Sequence, residues 1–372
     1  MNLEIGKRIN NSDIICGNSP IFLEKEWERS TGGNMASIWD VAKLAGVSKS
    51  TVSRVVSDNG PVKEETRLAI ERAMKELNYT PSYFAQGIRT GKTKSIAMLV
   101  PDQSNVFYNA MLDGIETEAL KYGYMVIVCN TNRNLPTEIS YTKELLKRNI
   151  DGIIYNTYEK SRKNLDYFLS LSETLPLVFM DNIVPKGETA PYVIAEGYQS
   201  TKSAVHYLFN KGCRKIAYIR IPPDISVINH RYEGYKAGLQ ECGISINKEL
   251  VFQSEKRSIT ETHMDVGMEG AKYLMSLQNR PDAIMAATDV IAIGAIKYLK
   301  SQGIKIPDEV KIIGYDNINL CTIVDPQLTT IAQPIREIGA VAARILINRI
   351  NGVHNDQEQV VLNAELLIRE TT

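Results

Sequence analysis

The sequence predicts a small all-α headpiece joined to an α/β body of two lobes, each built on a parallel sheet. Three observations carry this. Residues 38–56 hold two short amphipathic segments of helical period around a glycine, and a third helical stripe follows closely. From Ser95 onward, short and nearly continuous apolar runs alternate with amphipathic segments, as parallel strands do when helices cover both faces. That alternation starts afresh near Lys215, so the body holds two sheets side by side with a cleft between them. A chain of 372 residues suits two or three domains.

In the headpiece, Ile38, Val41, Ala42 and Ala45 recur at i, i+3, i+4 and i+7, which places them on one helix face. Gly46 stands where the chain leaves that helix in the left-handed conformation that glycine adopts at least cost. Ser48 is placed to cap the next helix, and Val47 to staple onto Val52. Val52, Val55 and Val56 turn inward, leaving Lys49, Ser50, Ser53 and Arg54 outward near the helix start. Asp58-Asn59-Gly60-Pro61 is a turn, and a third helix follows over about Glu64–Asn78 with Ile70, Ala73, Met74 and Leu77 inward. Glu64 and Glu65 complement its N-terminus, where Lys63 supplies only a weak cap.

Two short helices about a glycine turn, with basic and hydroxyl side chains opening the second, suit entry into a DNA major groove. Two packed helices of a larger bundle share this spacing. On the groove reading, Lys49, Ser50 and Arg54 read bases, and the Arg54 fork matches guanine. Ser48, Thr51, Ser53 and the backbone at the helix start hold phosphates, a role also open to Lys49.

Composition supports a small basic nucleic-acid module on a mildly acidic body. The whole chain balances 43 basic against 43 acidic residues. Residues 35–94 carry ten Lys/Arg and six Asp/Glu, net +4, which leaves the rest at −4. Five scattered cysteines without a C-x-x-C argue for reduced thiols in a cytoplasmic protein and against a zinc site. No apolar run is long enough for a membrane span, and no export signal opens the chain. The four histidines lack metal-ligand spacing, and there is no P-loop, nucleophile elbow or H-E-x-x-H, so neither an enzyme, a metal nor a cofactor is expected.

In the body, strands are expected at Ile96–Val100, Tyr124–Cys129, Asp151–Tyr155, Leu177–Met180, Lys215–Ile219, Ala283–Ala286 and Lys311–Gly314. Helices are expected at about 107–122 and 136–148. Parallel sheets bind ligands at the carboxyl ends of their strands. Asp102, Asp181, Thr288, Asp289 and Asp316 all stand just past such an end. A sugar requires acceptors, an arginine and an apolar ring face, which Asp181, Arg231, Thr288, Asp316 and Gln333 with Phe107 or Tyr108 supply. Each aspartate taken singly reads equally well as a strand-end or helix-cap residue.

Asp40-Val41-Ala42, Ala45-Gly46-Val47-Ser48 and Thr51-Val52-Ser53-Arg54 together resemble the headpiece of the lactose-repressor/galactose-repressor family of bacterial transcription regulators, and the resemblance runs through residues 35–370. It implies a body like the type I periplasmic binding proteins. The implied parts are a headpiece at 35–81, a hinge segment at 82–94, and an effector-binding and dimerisation domain at 95–372. The first lobe is expected over about 95–194 and 319–347, the second over about 198–317 and 348–372. In the family, the segment matching Tyr79–Thr90 forms a hinge helix on DNA, and Ile88 occupies its minor-groove wedge position. Gly87 raises the cost of ordering that helix.

The resemblance also selects among the cleft residues. Ser104–Tyr108 matches the segment whose aromatics line the pocket, Arg231–Tyr235 the one whose arginine grips the effector, and Gly314–Asn317 the one whose aspartate accepts its hydroxyls. Asn317 and the loop Pro222-Pro223-Asp224 depart from the family pattern. The implied function is a repressor that binds a palindromic double-stranded operator as a homodimer and is controlled by a small effector, a sugar by family habit. A purine or nucleoside corepressor is the rival within the family, and a periplasmic sugar receptor the rival outside it. The dimer surface is expected on Met111, Leu112, Ile115 and Ala119, and the lack of a heptad tail argues against a tetramer. Residues 1–34 show no sustained period and are expected to be a non-native or disordered extension before a start at Met35.

Overall fold

The computed structural model describes residues 36–57, 60–80, 92–156, 162–181, 190–221, 226–254, 263–353 and 357–372. The expectations for residues 1–34, for the hinge with Ile88, and for the loop at Pro222–Asp224 lie outside these. The chain divides into two units, up to Gln86 and from Gly87 onward.

The first unit is three helices, α1 (Ile38–Leu44), α2 (Lys49–Val56) and α3 (Glu64–Glu76). A capping box opens α1: the Ser37 side chain accepts from Asp40 N, and the Asp40 carboxylate accepts from Ser37 N at 2.8 Å. Those bonds from Ser37 hold the exposed Asp40 below the usual carboxylate range. Gly46 turns the chain at φ +65°, and Ser48 Oγ accepts from Thr51 N at 3.2 Å to cap α2. Lys63 makes no side-chain cap for α3. Val41, Val52 and Ile70, one from each helix, are fully buried against one another's neighbours. Burying such a side chain stabilises by roughly 1.5–3 kcal/mol, so a unit this small needs all three helices.

The second unit contains both lobes. In chain order the first lobe begins with β1 (Ser95–Val100), α4 (Val106–Lys121), β2 (Met125–Asn130) and α5 (Leu135–Lys147). It continues with β3 (Gly152–Tyr155), α6 (Arg162–Leu171), β4 (Leu177–Met180) and β5 (Tyr192–Ala195). The second lobe follows with α7 (Tyr198–Asn210), β6 (Ile216–Arg220), α8 (Ser226–Glu241), β7 (Val251–Gln253) and α9 (His263–Ser276). Then come β8 (Ala283–Ala286), α10 (Asp289–Ser301), β9 (Lys311–Asp316) and β10 (Thr329–Ala332). The chain closes with α11 (Ile335–Ile350), β11 (Gln359–Leu362) and β12 (Glu365–Leu367).

The two sheets have strand orders β11-β5-β4-β3-β1-β2 and β12-β10-β9-β8-β6-β7. Both contain the same doubly wound core, and its direction of winding reverses between β1 and β3 and between β6 and β8. All pairings are parallel except β12 on β10, so the second sheet is mixed at that edge. Two expected boundaries move. Residues 329–332 pair with β9 in the second lobe, whereas α11 and β11 belong with the first, β11 pairing with β5. The last crossover therefore falls after Leu362, not at 347, because α11 covers the first sheet while the strand before it completes the second.

The expected dimer stripe is also corrected. Met111, Ile115 and Ala119 are fully buried in their own lobe, since α4 packs on both its sheet and α11. The α4–α11 crossing is close enough to bring backbones together. A Cβ on Gly114 would lie 2.0 Å from Arg336 O, and one on Gly339 would lie 2.1 Å from Met111 O. Gly339→Ala is therefore expected to cost about 1–3 kcal/mol through overpacking, read as a lower urea midpoint. An unchanged midpoint would mean that the helices separate freely.

Candidate functional site

The headpiece presents a polar edge at the start of α2. Lys49, Ser50 and Arg54 are exposed, as their outward phase requires. Ser48 Oγ lies 2.7 Å from Ser50 Oγ and 2.8 Å from Thr51 Oγ1, so three hydroxyls share one cluster around the helix N-terminus. Backbone N–H groups and hydroxyls at such an end suit an anion such as a DNA phosphate. Ser53 is half-buried. Trp39, outside the sequence motif of the recognition helix, is 64% exposed, and the Lys49 ammonium lies 5.0 Å from its ring centre. Its signal was available, because the inward phase of Ile38, Val41 and Ala42 leaves position 39 facing out.

In the body, Asp181, Arg231, Asp316 and Gln333 come together at the carboxyl ends of the strands. Arg231, on α8, is 4% exposed. Its Nη1 donates to Ala287 O at 2.7 Å, just past β8, and lies 3.5 Å from Asp316 Oδ1. Its guanidinium carbon sits 3.6 Å from the Tyr315 ring centre. Tyr315 is anchored in turn by donating its hydroxyl to Glu196 O at 3.1 Å, beside the first crossover between the lobes. Gln333 Nε2 donates to Asp316 Oδ1 at 2.6 Å, which ties that aspartate to the second crossover.

Electrostatics links the lobes at this point. Burial raises the Asp181 carboxyl to about 6, against the opposing pull of Arg231 across the cleft and a hydrogen bond with Asn156. Asp316 is pushed well above the carboxylate range by burial, with Asp289 and Asp181 adding and Arg231 opposing. Both cleft aspartates also hold strained backbone, Asp181 at φ +57° and Asp316 at φ +123°, and Asn317 follows at +62°. Such conformations persist where the surroundings fix them, and they cluster at functional sites.

The remaining expected residues divide. Thr288 flanks the cluster and caps α10, its Oγ1 accepting from Ile291 N at 3.4 Å. Phe107 and Tyr108 lie buried at the start of α4, edge to face at 5.2 Å. Asp289 corrects its expectation as a ligand contact. It has no exposure, and its oxygens accept from Thr330 Oγ1 at 2.5 Å and Ile318 N at 2.9 Å. Gly314 makes room for it, since a Cβ there would meet Asp289 Oδ1 at 2.2 Å. This carboxylate anchors β10 and the loop after β9.

The structure adds one strand-end residue that was passed over, Asn156, and shows what Asp102 does. Asn156 follows β3 and is fully buried beside Asp181. Asp102, after β1, pairs with Arg133 Nη2 at 2.6 Å. Although burial pushes Asp102 up, Ser104 and Arg133 outweigh it and leave its carboxyl lowered. His263, opening α9 in the other lobe, is pushed down to about 4 by loss of water, and Arg133 pulls the same way. The strand-end rule that found Asp181 pointed equally to Asn156. No group of side chains among the described residues has the composition of a metal site, and no described helix is long and apolar enough to cross a membrane.

A helix-turn-helix unit joined to a two-lobed body with a charged cleft defines a DNA-binding regulator with a ligand-binding domain. Comparison with known proteins agrees. Residues 37–82 match the family described as bacterial regulatory proteins, lacI family, and residues 205–372 match the periplasmic binding protein-like domain. The ribose operon repressor of Halalkalibacterium halodurans is 34% identical over 338 residues, 91% of this chain and 97% of that protein. The transcriptional repressor PurR of Vibrio vulnificus is 33% identical over 91% of this chain and 98% of its own. Among solved structures, a complex of the regulator CelR with cellobiose has a TM-score of 0.68 at 26% identity, covering 91% of this chain and 100% of that one. The lac repressor dimer bound to operator and the anti-inducer ONPF has a TM-score of 0.80 at 24% identity, over 91% and 99% of the two chains, a likeness of fold. The chain belongs to the lacI family of bacterial regulatory proteins. It is a DNA-binding transcriptional repressor and not an enzyme.

Proposed function

We propose that this cytoplasmic repressor binds a palindromic operator as a homodimer and that a sugar seated in the cleft releases it. The observation that carries the ligand reading is Arg231 set between Asp181 and Asp316 on strained backbone from both lobes. Carboxylates, the Gln333 amide and a guanidinium supply the donors and acceptors that hydroxyls need, and Phe107 or Tyr108 supplies an apolar face. Thr288 completes the rim. A ligand that touches both lobes draws them together, and its preference for the closed state is what alters the affinity for DNA. The ribose and cellobiose in the names of two similar proteins favour a sugar, and the PurR relative keeps a purine as the rival.

On DNA, Lys49, Ser50 and Arg54 read bases, Ser48, Thr51 and Ser53 hold phosphates, and Ile88 wedges the minor groove. One short recognition helix offers few base contacts, so two are needed on an inverted repeat. The edge of the first sheet is the surface we assign to dimerisation, with Leu120 76% and Met125 63% exposed beside Tyr122.

The test is an anisotropy titration on operator and scrambled duplexes, with and without pentoses, hexoses and purine bases. Arg54→Ala is expected to weaken specific binding by roughly 10- to 100-fold and scrambled-duplex binding far less. Equal losses on both duplexes would make Arg54 a phosphate contact. A sugar that weakens operator binding supports release by inducer, and a purine base that strengthens it overturns the sugar reading.

A further inference from the structure

We propose that the ligand of this cleft carries an anionic group, phosphoryl or carboxylate, and that Arg220 receives it. This rests on the reading of the cleft as the ligand site. Arg220 is the last residue of β6, one of the two strands flanking the point where the winding of the second sheet reverses. Doubly wound sheets bind their ligands at the carboxyl side of that point. Its register places it beside Ala287, because Ile219 pairs with Ala286, and the Ala287 carbonyl holds Arg231. Tyr218, on the same face of β6, feels the positive charge of both arginines. Both guanidiniums therefore stand at the carboxyl end of the second sheet, within electrostatic reach of one tyrosine.

Their charge balance differs. Arg231 has Asp316 at 3.5 Å and Asp181 facing it. Arg220 is 7% exposed, yet no carboxylate among the described residues pairs with it. Its Nη2 donates to the neutral Asn229 Oδ1 at 2.9 Å, its guanidinium carbon lies 4.2 Å from the Tyr232 ring centre, and its Nε has no acceptor among the described residues. A buried guanidinium is ordinarily paired, because a charge removed from water without a counter-charge is costly. Asn229 and Tyr232 orient the fork without neutralising it. An incoming phosphoryl or carboxylate group would complete both the charge and the open donor, whereas a sugar hydroxyl would complete only the donor.

The experiment is calorimetric titration of the full chain with pentoses and hexoses, their terminal phosphates and the corresponding aldonates. The variants are Arg220→Met, Arg220→Lys and Arg231→Ala. An anionic member is expected to bind at least about 10-fold tighter than its neutral parent. Arg220→Met is expected to lose roughly 10- to 100-fold for that anion and little for the parent, with Arg220→Lys between. Preference for the phosphate over the aldonate, or the reverse, identifies the anion. Without ligand, Arg220→Met is expected to melt at a higher temperature than the parent chain, since it removes an unneutralised charge, and this also shows that it folds. Tighter binding of a neutral sugar, abolished by Arg231→Ala and untouched by Arg220→Met, would overturn the anion assignment and leave the cleft reading standing. Binding of no sugar, phosphate or acid would overturn both.

Discussion

Arg231→Ala is expected to lower the unfolding free energy at pH 7 by roughly 3–5 kcal/mol, the usual cost of orphaning one partner of a buried ion pair. Arg231 and Asp316 are both nearly inaccessible and 3.5 Å apart, and Gln333 Nε2 donates to that carboxylate. With the guanidinium gone, Asp316 faces the negative charges of Asp181 and Asp289 without the cation that opposes them most strongly. It must then either stay charged in a dry site or take up a proton at neutral pH, and both are costly. The stacked Tyr315 ring loses its partner as well. Adding Asp316→Asn is expected to recover most of the loss, because the amide needs no counter-charge and can still accept from Gln333. Urea unfolding of the two single variants and the double variant measures this as a coupling energy. Purely additive losses would show that the pair is not coupled and that Arg231 acts through packing alone.

Asp181→Asn is expected to do the opposite, stabilising the protein at pH 7 by about 3 kcal/mol, the equivalent of roughly two pKa units. Burial lifts the Asp181 carboxyl from 3.8 to about 6. From about pH 4 to about pH 6 the folded state therefore keeps a proton that the unfolded chain has released. Stability falls as the pH rises through that window, and the deficit is complete above it. Asparagine removes the titration, so variant and parent should match near pH 4 and diverge by pH 7. His263 runs the other way, because its value is pushed down to about 4 and its contribution is lost as the pH falls through that range. It is present in both proteins and cancels in the comparison. A constant difference at all pH values would mean that Asp181 titrates normally. A stabilised variant that has also lost ligand binding would identify the strain and burial at this position as a cost accepted for function.

Legibility differed between the two units for a physical reason. In the headpiece, the signals are local: the period of Ile38, Val41 and Ala42, the glycine at 46, and the serine cap at 48 each act within a few residues. The helices accordingly lie within two residues of where the pattern places them. In the body, strands β1 to β4, β6, β8 and β9 were equally legible from their apolar runs, and so were the residues just past their ends, whereas β5, β7, β10 and β11 were passed over. What those residues do was not. Asp181, Asp289 and Asp316 look alike in the sequence, each an aspartate just past a strand end or opening the next helix. Only packing shows that Asp289 is consumed by Thr330 and Ile318 N, whereas Asp316 meets Arg231.

By itself, then, the sequence determined the helix-turn-helix, the repeated strand–helix alternation and the side chains available at the cleft, because these follow from periodicity and chain order. The tertiary structure decided which lobe receives residues 329–332 and 335–362, since strand pairing joins segments far apart in the chain. It buried Met111, Ile115 and Ala119 of α4 within their own lobe, removing those three from any dimer surface and leaving Leu112 half-buried. It also separated two arginines that look equivalent, pairing Arg231 with Asp316 while no carboxylate among the described residues pairs with Arg220. Charge compensation depends on distances across the fold, and spacing along the chain does not encode them.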